Sequence, residues 1–72
     1  MDEQFVQKIN QEVTEKFPYM ENVVPEIELL PDKNFKLVYS GHAQTANGHE
    51  MPVTVIVKAG AAGKIIEIRS SR

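Results

Sequence analysis

Residues 35–58 read FKLVYSGHAQTANGHEMPVTVIVK, and apolar residues alternate with polar ones on both sides of Ala46-Asn47-Gly48. Upstream the apolar set is Phe35, Leu37, Tyr39, Gly41 and Ala43; downstream it is Met51, Val53, Val55 and Val57. Strand side chains alternate between two faces, so both sets must meet on one face of a hairpin. A two-residue Asn-Gly turn would set Tyr39 against Ile56 and Leu37 against Lys58, sending the two apolar sets to opposite faces. A three-residue loop removes the conflict, with Ala46 and Asn47 in a type I turn and Gly48 in the left-handed bulge position. That register predicts Tyr39 opposite Val55, Leu37 opposite Val57 and Ala43 opposite Met51.

The flanking segments extend this ribbon. Pro25 opens a strand in which Glu26, Ile27, Glu28 and Leu29 alternate, and Pro31-Asp32-Lys33-Asn34 supplies the next turn. A loop of Asp32, Lys33 and Asn34, with Asn34 left-handed, would pair Leu29 with Leu37 and Ile27 with Tyr39. Gly60-Ala61-Ala62-Gly63 reads as a four-residue loop setting Val57 against Ile66 and Val55 against Ile68. Ahead of the strands, Phe5, Ile9, Val13 and Phe17 recur every four residues, with Lys8, Gln11, Glu12 and Glu15 opposite. They predict an amphipathic helix over residues 3–17, capped by Asp2 and ended by Pro18.

The expected fold is therefore α+β: one N-terminal helix packed on a four-stranded antiparallel β-meander, with residues 1–72 forming a single domain. The helix should lie over an inner face of Ile27, Leu29, Phe35, Leu37, Tyr39, Val53, Val55, Val57, Ile66 and Ile68. Gly41 and Ala43 leave room there for a helix end to approach closely.

The chain has 72 residues, no cysteine and a net charge of −2. Without cysteine neither a disulfide nor a thiolate metal site can support the core. No apolar run approaches a membrane span, and Met1-Asp2-Glu3-Gln4 is unlike a secretory leader, so a cytoplasmic location is expected. Charge is uneven. Through Asn34, eight acids face three lysines, net −5; from Phe35 on, two acids face five cations, net +3.

Residues with catalytic potential do not assemble. His42 and His49 fall on opposite parities, so no metal site is expected. Ser40, His42 and Glu50 lie on an open sheet surface without a pocket or an oxyanion donor set. Gly60-Ala61-Ala62-Gly63-Lys64 lacks the spacing of a phosphate loop and runs into a strand. Glu26 and Glu28 read as a solvated strand face. The chain is therefore not expected to be an enzyme, and no cofactor is expected.

The outer sheet face is more informative. Val38, Ile56 and Ile65 are expected to point away from the helix and to form an apolar patch rimmed by Lys36, Lys58, Arg69 and Glu67. This pattern predicts a small binding domain acting through its exposed sheet face, as a homodimer or as an accessory subunit on a protein partner. An inhibitor or regulator of an enzyme, using an edge strand or loop 60–63, is the alternative. Nucleic-acid binding by the basic sheet face ranks lower, because Phe35 and Tyr39 point inward and leave no outward aromatic for base stacking.

The order of a helix followed by a curling meander with an Asn-Gly turn is similar in outline to PepSY and cystatin-like domains. The likeness covers most of the chain as a pattern of apolar periods and turns. The Gln-x-Val-x-Gly motif of the cystatin inhibitory loop is absent, and PepSY domains are usually exported or membrane-linked, unlike this acidic start. No family is assigned from this outline and no functional residue is carried over.

Overall fold

Asp2 accepts a hydrogen bond from the Gln4 amide at 2.9 Å and starts helix α1, Glu3–Lys16, in the computed structural model, which describes residues 2–71. Pro18 then forces a short 3₁₀ turn, Pro18–Met20, which folds Met20 back into the core. Four strands follow: β1 Glu26–Leu29, β2 Phe35–Gln44, β3 Glu50–Ala59 and β4 Ile65–Ser70. They form one antiparallel sheet in the order β1-β2-β3-β4. The molecule is a helix on a four-stranded meander.

The central hairpin has the register that its alternation requires. Tyr39 pairs with Val55, Leu37 with Val57 and Ala43 with Met51, and Gly48 has φ +78°. The other two hairpins use the same loop, which corrects their expected registers. In each, one residue bonds back across a three-residue loop whose last member is left-handed. The left-handed residues are Lys33, Gly48 and Gly63, with φ of +69°, +78° and +86°. Lys33 N donates to Leu30 O at 3.0 Å, Gly48 N to Thr45 O at 3.0 Å and Gly63 N to Gly60 O at 2.9 Å.

At the first turn the loop is thus Pro31, Asp32 and Lys33, and Asn34 is not the left-handed residue. Pro31 suits the first corner of a type I turn. The Asp32 carboxylate then accepts from both the Asn34 amide and its side chain, each at 3.1 Å. The register moves by two, so Ile27 pairs with Leu37 and Leu29 with Phe35, while the faces stay as expected.

At the last turn the loop is Ala61, Ala62 and Gly63, one residue shorter than expected. Ala59 pairs with Ile65, Lys58 with Glu67 and Val57 with Ile68, so Ile66 is the extra residue of a β-bulge. The bulge exchanges the roles of two isoleucines. Ile65 packs against the core and does not join the outer patch, whereas Ile66 is 54% exposed.

The core comprises Ile9 and Val13 of α1, Met20, Leu37, Tyr39, Val53, Val55, Val57 and Ala59. Gly41 admits the 3₁₀ turn that follows α1, and not the expected helix end: a Cβ on Gly41 would lie 2.9 Å from Met20 Sδ. At the other end of α1 the Phe5 ring lies against Gly63, where a Cβ would approach to 2.8 Å. With α1 held at Gly63 and its trailing 3₁₀ turn at Gly41, the helix covers β2, β3 and the inner side of β4. It leaves β1 bare. Ile27 and Leu29 share the inner parity but are 43% and 65% exposed, against the expectation that the helix would bury them.

Candidate interaction surface

On the face opposite α1 the register builds two cross-strand rows. One runs Glu28, Lys36, Lys58, Glu67; the other runs Glu26, Val38, Ile56, Arg69. Beyond them Ser40 pairs with Thr54 and His42 with Pro52. Neighbours along a row stand close enough for their side chains to interact, so each row behaves as a unit.

Of the six residues expected to form the patch, five come together: Val38, Ile56, Lys36, Lys58 and Arg69. Ile65 does not, because of the bulge before Glu67. Its place is taken by Leu30, which pairs with Asn34 and has the parity of Glu28 and Lys36. Leu30, Lys36, Ile56, Lys58, Glu67 and Arg69 line a shallow open depression of about 370 Å³. Leu30 was recoverable from the alternation, since the Leu29-Leu30 doublet must put one leucine on each face. The exchange of Ile65 for Ile66 carried only the signal of Gly63 as a loop-ending residue.

Val38 and Ile56 are half-buried even though no described element covers them. The long stems of Lys36, Lys58 and Arg69 stand beside them in the rows and shield part of their area while keeping the charged heads in water. Two of the cations are locally matched. Lys58 Nζ lies 3.2 Å from Asp32 Oδ2, and Arg69 Nε lies 2.7 Å from Glu67 Oε1. The Asn34 amide, followed by the Lys58 ammonium, holds the Asp32 carboxyl below its usual value. The rim therefore carries mixed charge and not a continuous basic field.

The other residues with catalytic potential stay apart. His42 lies on the outer face opposite Pro52, and His49 sits beside the Gly48 loop, both exposed. Glu50 pairs with Gln44, away from Ser40. Among the described residues no three histidine or carboxylate side chains are gathered as metal ligands. Residues 60–63 form a hairpin turn, and Gly63 is buried under Phe5. Among the described residues no helix is long and apolar enough to cross a membrane.

Compared with protein-family models, curated proteins and solved structures, the chain has no significant match. The site must be read from its own geometry.

Proposed function

We propose that this chain is a non-catalytic binding domain whose outer sheet face docks onto a protein surface, either a second copy or a larger partner. The observation that carries this reading is the cross-strand pair Val38 and Ile56, with Leu30 lining the same depression as Ile56, on a sheet face that no described element covers, rimmed by charges of both signs. Apolar side chains in contact, with a polar border, are what a docking surface needs, and interface rims are typically polar and solvated. The local pairing of Lys58 with Asp32 and of Arg69 with Glu67 disfavours a polyanion partner, because counterion release requires cations free to meet phosphates.

Light scattering over a wide concentration range, with Ile56→Lys in parallel, tests the reading. A dimer that Ile56→Lys dissociates, with an unchanged melting temperature, makes the face a self-association surface. A dimer indifferent to Ile56→Lys removes the face from consideration. If the wild type is monomeric throughout, the partner is a different protein. The corresponding test is then retention of a partner by wild-type protein and its loss with Ile56→Lys.

A further inference from the structure

The free edge of β1 is a second surface, distinct from the outer face. Leu30 N donates to Asn34 O at 2.8 Å, which makes Leu30 and Asn34 a hydrogen-bonded pair. In an antiparallel ladder such pairs alternate, so Glu28 and Glu26 also bond to β2 while Ile27 and Leu29 turn their N–H and C=O groups outward. The same two residues have the side chains that α1 leaves exposed. Pro25 shares their parity and lacks an N–H, so donors at this edge are confined to Ile27 and Leu29. The other edge differs: β4 carries the Ile66 bulge, and its Glu67 and Arg69 pair with each other. The bulge breaks the pairing pattern of the β4 edge, whereas at β1 the four-residue length and Pro25 only confine a guest strand to the stretch of Ile27 and Leu29.

Charge specifies what can fill the β1 edge. Glu26 and Glu28 are exposed, and neither makes a salt bridge with any described residue. A second β1 is a poor occupant. Pairing Ile27 with Leu29 of another copy sets Glu28 against its own counterpart, and pairing Ile27 with Ile27 sets Glu26 against Glu28. Like charges placed opposite each other destabilise a strand pair. We infer that the β1 edge receives an extended peptide segment of another protein in which apolar residues alternate with lysine or arginine. Its apolar residues pair with Ile27 and Leu29 and continue the inner face beside α1. Its cations fall opposite Glu26 and Glu28 on the outer face. Main-chain bonds supply binding and the alternate side chains supply selection, as in other strand-addition complexes.

The probe is a synthetic hexapeptide of alternating arginine and valine, titrated into isotope-labelled protein and followed by amide NMR, beside a glutamate–valine counterpart. The expected result is a perturbation centred on the Ile27 and Leu29 amides, slower hydrogen exchange at both, and affinity for the basic peptide about tenfold or more above the acidic one. Leu29→Pro removes an outward donor that the sheet does not use, a substitution edge strands tolerate, and it should reduce binding while the core amide spectrum persists. The double variant Glu26→Lys/Glu28→Lys should invert the peptide preference, and it remains decisive if Leu29→Pro unfolds the chain. Equal affinity for the two peptides overturns the inference, as do perturbations centred on Ile56 or no binding at millimolar peptide. Ile56→Lys leaves this edge intact, so failure of the outer-face reading and failure of this one give different results.

Discussion

The Tyr39 hydroxyl donates a hydrogen bond to Asn10 Oδ1, tying the middle of β2 to the middle of α1. Tyr39 is 1% exposed, and the bond gives its phenol a partner inside an otherwise apolar core. A buried hydroxyl without a partner is costly, so this pair favours one position of the helix over the sheet among several that would bury similar apolar area. Tyr39→Phe should therefore destabilise the protein by about 1 kcal/mol, and Tyr39→Phe/Asn10→Leu should cost less than the single effects added together. Urea midpoints of the four proteins in this cycle check both statements.

The same burial makes Tyr39 a pH-dependent group. Loss of water around the phenol raises its pKa from 10.0 to about 12. Burial favours the neutral form, so Tyr39's contribution is fully present below the unfolded value of 10.0 and is lost as pH rises through about 12. The stability difference between wild type and Tyr39→Phe should be constant from neutral pH to about pH 9 and shrink above about pH 10. A difference that is flat through pH 11 would contradict a desolvated phenol.

Two glycines in equivalent loops should respond unequally to alanine. Gly48 and Gly63 both have positive φ, but a Cβ on Gly48 meets nothing within 4 Å whereas one on Gly63 meets the Phe5 ring at 2.8 Å. Gly48→Ala should cost about 1 kcal/mol from left-handed backbone strain alone. Gly63→Ala should cost about 2–3 kcal/mol, since it adds displacement of Phe5 to the same strain. Equal losses of melting temperature would mean that α1 is not seated on the last hairpin.

Lys33 occupies the position that glycine fills in the two later hairpins, at φ +69°. Lys33→Gly should stabilise the chain by about 0.5–1 kcal/mol, the relief of strain outweighing the added freedom of the unfolded backbone. Chemical denaturation of this one variant is sufficient to measure it.

The bulge in β4 makes neighbouring isoleucines inequivalent. Ile65 packs on the core while Ile66 is 54% exposed. Ile65→Ala should cost about 2 kcal/mol and Ile66→Ala less than about 0.5 kcal/mol. The reverse ranking would restore the four-residue loop and return Ile65 to the outer patch.

The alternation of residues 35–58, together with the helical recurrence of Phe5, Ile9 and Val13, was sufficient to specify α1, the central hairpin and its register. The reason is local: a period of two or of about four residues permits one buried face, and a one-residue slip would expose all of it. The same parity placed Lys36, Val38, Ile56, Lys58 and Arg69 together. It could not choose between loops that preserve the faces. Shifting the first turn by one residue at each end leaves Ile27 and Leu29 on the inner side, so the choice fell to Pro31 geometry and the Asp32 carboxylate.

Tertiary structure decided what parity leaves open. A three-residue last loop made Ile66 the extra residue of a bulge, which sent Ile65 to the core and left the outer patch to Leu30, Val38 and Ile56. The seating of α1 against Gly63 and of its trailing 3₁₀ turn against Gly41 decided which apolar residues of the inner face are buried, and it passed over Ile27 and Leu29. Outside the β4 bulge, sequence alone determined the faces, because side-chain direction follows from local backbone geometry. Coverage depends on where a separate element comes to rest, and here close contact at two glycines set that position.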